Sequence, residues 1–148
     1  MSLVGRIVQQ HVPPWRAIRN LAHDVDVHWV DQPRGRIAAT DGRSRIWIDT
    51  RLLQVQRRVA AAHELIHLER THTSGCDPRV EAGVRVETAR RLITIDELID
   101  ALRWTEDWHE AADVLWVTVD ILQDRIDHLT PQETALLVAV YEETEGGA

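Results

Sequence analysis

The residues most suited to chemistry are His63, Glu64 and His67, set out as His63-Glu64-Leu65-Ile66-His67 in a stretch with helical character. On an α-helix, positions four apart differ by about 40° of rotation and about 6 Å of rise, so both imidazoles can turn toward one metal ion. Glu64 falls at the edge of that face. There it is poorly placed as a third ligand and well placed to take a proton from a water that the metal activates, as in zinc peptidases.

A catalytic zinc ion takes three protein ligands and keeps a fourth position open. The pattern H-E-x-x-H-x-x-G-x-x-H is excluded, because Arg70 and Thr73 stand where it needs Gly and His. His72, five residues after His67, points to another side of a continuing helix. Two glutamates downstream, Glu81 and Glu87, remain as candidates, and lying six apart they occupy different faces of any shared helix.

Several segments together resemble the ImmA/IrrE family of metallopeptidases. They are Arg45-Ile46-Trp47-Ile48-Asp49, then Ala62 through Glu69 with the two histidines, then Glu81 through Ile93. The resemblance runs over most of the chain. It implies that Glu81, counted back from Ala89-Arg90-Arg91-Leu92-Ile93, is the third ligand of one Zn2+ held with His63 and His67, with Glu64 as the catalytic base. Val84 and Arg85 replace the small residue and Asp/Asn of the family pattern, and Thr94 replaces a proline, so Glu87 stays open as the alternative ligand. The resemblance also implies limited proteolysis of a transcriptional repressor, a helix-turn-helix protein, in phage, mobile-element or stress control. The alternative is a non-proteolytic regulatory module that binds a protein partner or DNA. For the donor to a developing oxyanion, His72, His109, Tyr141 and the arginines are the polar candidates.

Three kinds of element must position these groups. The run from Arg51 to Ala62 has good helix formers and apolar residues at Leu52, Val55, Val59, Ala62 and Ile66, the spacing of an amphipathic helix. Before it, Asp24–Asp31 alternates like a half-buried strand, and Arg36–Thr40 and Arg45–Asp49 flank the hairpin signal Asp41-Gly42. A three-stranded antiparallel sheet packed on the metal helix is expected, with one edge strand open to a substrate chain. A first helix is expected over Val12–Ala22, carrying Trp15, Ile18 and Leu21 on one side. His28 reads as a packed or solvated strand residue.

Beyond Ile93 the pattern is helical. Thr94-Ile95-Asp96-Glu97 and Thr130-Pro131-Gln132-Glu133 fit the capping box and mark two helix starts. Between them, Trp108–Leu115, Trp116-Val117-Thr118 and Val119–Leu129 have the rhythm of a helix-turn-helix, with Val117, Leu122 and Ile126 closing a small core. Its second helix carries Asp120, Asp124 and Asp127 against Arg125, which opposes duplex binding, so a packing or partner-recognition unit is expected and nucleic acid is not. The end, Glu142–Ala148, reads as a frayed acidic tail.

The fold class is therefore α+β and mostly α-helical: one domain over residues 1–148, with a zincin-like core (1–93) and a helical extension (94–148). At 148 residues the chain suits one core. Its 24 Asp and Glu exceed 17 basic residues, all arginine, and the net charge of −7 opposes non-specific attraction to nucleic acid. The lone Cys76 cannot form an intramolecular disulfide, and no signal-peptide layout or membrane span is seen, so a cytoplasmic protein is expected. Most of the six tryptophans are expected at core positions.

Overall fold

Ile46 and Ile48 project from one face of a short strand and are the most deeply buried residues of the sheet, which is why this strand becomes central. The computed structural model describes residues 25–33, 35–71 and 77–146. The helix expected over Val12–Ala22, together with His72 and Cys76, lies outside them. Strands β1 (Asp26–Val30), β2 (Ala38–Thr40) and β3 (Arg45–Asp49) form a sheet in the order β1-β3-β2.

The sheet is mixed, which corrects the antiparallel expectation. β2 and β3 make the hairpin that Asp41-Gly42 signals, in register Ala39↔Trp47. Gly42 takes the positive φ that the turn needs, and the Asp41 carboxylate accepts from the backbone N–H groups of Arg43, Ser44 and Arg45. β1 instead pairs parallel with β3, in register His28↔Trp47. β1 and β2, successive in sequence, are therefore not neighbours in the sheet and lie on either side of β3. That order leaves both edges to strands with less to bury.

Six helices follow: α1 (Gln54–Glu69), α2 (Pro78–Leu92), α3 (Ile95–Trp104), α4 (Trp108–Leu115), α5 (Val119–Asp127) and α6 (Pro131–Gly146). Helix α1, which carries His63 and His67, starts at Gln54, later than the apolar pattern suggested, because Asp49 bends the chain first. The Asp49 carboxylate accepts from the Arg51 backbone and guanidinium, which hold it well below the usual carboxylate range. Leu52 then packs against the sheet cluster before the helix begins.

α1 is buried on two sides. Ala61, Leu65 and Leu68 pack with Ile46 and Ile48 under the sheet, whereas Val59 and Ala62 join the helical core of Ala89, Leu98, Ala111, Ala112, Leu115 and Leu122. Three consecutive alanines, Ala60 to Ala62, let both layers approach closely. Arg58 on the same helix is buried and donates to the Leu115 and Trp116 carbonyls, where Trp116 takes a left-handed conformation between α4 and α5.

Both Thr-x-x-Glu segments cap a helix, the second as a full capping box. Thr94 accepts from the Glu97 N–H, and Thr130 and Glu133 exchange bonds reciprocally at the start of α6. The turn 116–118 joins α4 to α5 as the spacing indicates, with Val117 and Leu122 in the core. Two expectations fail. Residues 142–146 continue α6 as helix, because Ala, Leu and Glu propagate it. Trp29, Trp104 and Trp108 are exposed, since each sits at the edge of a sheet or the end of a helix. No helix among the described residues is long and apolar enough to cross a membrane.

Candidate metal centre

Helix α1 supplies two ligand candidates and α2 the third. His63 and His67 lie one turn apart on the side of α1 that faces α2. Asp77 caps α2 by accepting from the Arg79 N–H at 2.8 Å, and Pro78 at the first helical position fixes the entry. Glu81 therefore sits in the first turn of α2. Arg91 locks the two helices together further along, with Nη1 2.7 Å from Glu69 and Nε 2.9 Å from Glu87.

His63, His67 and Glu81 converge. His63 Nε2 stands 3.0 Å from Glu81 Oε2, His67 Nε2 2.8 Å from Glu81 Oε1, and the two Nε2 atoms 3.2 Å from each other. Among the described residues this is the one group of three or more His, Cys, Asp or Glu side chains spaced to hold a metal ion. Glu87 is not brought to it: six residues on from Glu81 it lies on another side of α2, where its carboxylate pairs with Arg91.

The donor triangle fits zinc. Bonds of about 2.0–2.2 Å at tetrahedral angles put donor atoms roughly 3.3–3.5 Å apart, and the separations found, with one Glu81 oxygen turned to each histidine, fall short of that by up to about 0.7 Å. With both Nε2 atoms unprotonated, their lone pairs and the Glu81 oxygens meet at short range, and a cation among them would offset that repulsion. Burial lowers the His63 pKa, against the pull of Glu81, and so favours the neutral imidazole that can act as a ligand.

Glu64 is 8% exposed. Burial, and next the negative charge of Glu81, raise its carboxyl to about 7, while Arg36 opposes the shift. A carboxyl with that affinity can both take and return a proton near neutrality. Two arginines near the site escaped the reading of the sequence. Arg36, just before β2, acts on Glu64, and Arg85 acts on His63 while its guanidinium is held by Asp124 of α5 at 2.8 and 3.1 Å. No local spacing signals either one, because both depend on contacts between distant segments. His28 stacks on Trp47, and His109 and Tyr141 stand exposed on α4 and α6.

Compared with known proteins, the chain matches no family model, no curated protein and no solved structure.

One structural consequence is measurable without the metal. Removing the cap with Asp77→Ala is expected to cost about 1 kcal/mol in urea unfolding. An unchanged midpoint would mean that Pro78 alone sets the start of α2.

Proposed function

We propose that the protein is a zinc-dependent metallopeptidase of the ImmA/IrrE type that makes a limited cut in a regulatory protein, a transcriptional repressor being the expected substrate. The observation that carries this reading is the convergence of His63, His67 and Glu81 beside the buried carboxyl of Glu64. His63, His67 and Glu81 would hold the ion. Zinc, when bound, supplies a Lewis acid that acidifies water and polarises a carbonyl. Glu64 takes the proton from the attacking water and passes it to the leaving amine. Because Ile37 O accepts from Asp49 N and Asp41 N donates to Arg45 O, residues 37, 39 and 41 direct their backbone groups toward β3. Ala38 and Thr40 direct theirs to the outer edge of the sheet, where an extended substrate segment can add as a strand.

The helix-turn-helix-like pair α4–α5 serves, on this reading, as a packing and partner-recognition unit. Arg125, the only basic residue of α5, is turned into the core, and Asp124 is engaged by Arg85. Neither presents positive charge to a phosphate backbone.

Elemental analysis of the purified protein tests the site. About one zinc per chain is expected in the wild type and in Glu87→Ala, with loss of metal in His63→Ala and Glu81→Ala. A wild type that holds no stoichiometric zinc after supplementation would overturn the peptidase reading and leave a binding module.

A further inference from the structure

Helix α6 contains the run Ala135-Leu136-Leu137-Val138-Ala139-Val140-Tyr141. Seven consecutive residues at about 100° each go round the whole helix, so the apolar character is not confined to one stripe. A helix apolar all round is normally buried on all sides. Here only Leu137 is buried, whereas Leu136, Val138 and Tyr141 are 49%, 50% and 51% exposed. The helix is anchored by Glu133, which binds Arg125 and Arg90 at its start, and by Leu137 in the core.

The charge around this surface selects what covers it. Residues 94–148 carry 14 Asp and Glu against two Arg, a net charge of −12, whereas residues 1–93 carry 10 against 15 and are net positive by 5. The overall charge of −7 thus conceals a strongly polarised chain. Asp100, Glu106, Asp107 and Glu110 lie on α3, α4 and the loop between them, and Glu142, Glu143 and Glu145 line the last turns of α6. Two copies meeting through such modules would repel, and an anionic membrane would be repelled as well.

We propose that the exposed side of α6 carrying Val138 and Tyr141, about 60° apart on the helix, docks a basic amphipathic helix of a partner protein, its apolar stripe against these two residues and its cations against Glu142 and Glu145 on the same side. The placement is independent of the peptidase reading and stands on the surface alone. It combines helix-on-helix burial with electrostatic steering, so affinity depends on both apolar contact and ionic strength.

The test uses a dye-labelled Leu/Lys amphipathic peptide of about four helical turns, with a Leu/Glu peptide of equal length as control, read by fluorescence anisotropy. The wild-type chain is expected to bind the Leu/Lys peptide, more weakly as salt rises, and not the Leu/Glu peptide. The variant Val138→Gln/Tyr141→Gln keeps every charge and good helix formers, and circular dichroism verifies its fold. It is expected to bind at least about tenfold more weakly, the loss of roughly 1.4 kcal/mol of apolar contact. Equal binding by the variant would overturn the proposal by reducing the effect to charge alone, and absence of binding to the wild type would overturn it outright. A concentration-dependent dimer in sedimentation, abolished by the same variant, would assign the surface to a second copy and overturn it too.

Discussion

Glu64→Gln is expected to retain about one zinc per chain and to lose cleavage by roughly 10²–10⁴-fold. The amide has nearly the shape of the carboxyl, so the site keeps its packing, and the three candidate ligands His63, His67 and Glu81 are untouched. What disappears is the group that accepts a proton. Because Glu64 is buried and the charge of Glu81 opposes its ionisation, the neutral amide should leave the metal-free fold at least as stable as the wild type, which thermal unfolding can verify. Activity would be read as cleavage of a candidate repressor by mass spectrometry, with zinc measured on the same sample. Undiminished cleavage in a zinc-loaded variant would sink the assignment of Glu64. Loss of both zinc and cleavage would instead mean that Glu64 supports the ligands.

The parts of the structure legible in the sequence are those set by local spacing. The i, i+4 histidines on α1, the Asp41-Gly42 hairpin and the two Thr-x-x-Glu helix starts each depend on contacts within a few residues, and each is present. The convergence of Glu81 on the histidines was less accessible to physical reasoning. Spacing left Glu81 and Glu87 open, and the resemblance to a family favoured the first. In the structure the difference follows from which side of α2 faces the histidines: Glu81 lies on it, and Glu87 lies on another, where Arg91 pairs with it. The parallel pairing of β1 was hidden because strand order depends on which strand has most to bury, and β3 wins that place through Ile46 and Ile48. The polarised charge was visible in the sequence, but its meaning needed the helix boundaries and the exposure of α6.

Arg125→Met is expected to destabilise the protein by about 3–5 kcal/mol, because it leaves a largely buried carboxylate short of its principal partner. Arg125 is 3% exposed. Its Nε donates to the Ile93 carbonyl at 2.8 Å, and its other nitrogens pair with both oxygens of Glu133. Glu133 would keep only Arg90 and the Thr130 N–H, and the carbonyl at the end of α2 would lose its donor. Replacing both charges, in Arg125→Met/Glu133→Leu, should recover part of the loss, since the desolvation of an unpaired carboxylate is then removed. The same cluster determines the acid limit. Arg125 chiefly, with the Thr130 backbone and Arg90, lowers the Glu133 pKa from 4.5 to about 2. A carboxyl depressed on folding contributes stability that is fully present above its unfolded pKa and is lost as pH falls toward the folded value. Urea unfolding of the wild type should therefore weaken between about pH 4.5 and 2, and Glu133→Gln should flatten that limb while lowering stability at pH 7. A Glu133→Gln variant that keeps the full acid slope would show that other carboxylates carry it. Because Ile93 closes the helix that presents Glu81, zinc retention in Arg125→Met should fall with the folded fraction. Zinc lost while the chain is still folded would mean that this cluster also sets the position of Glu81.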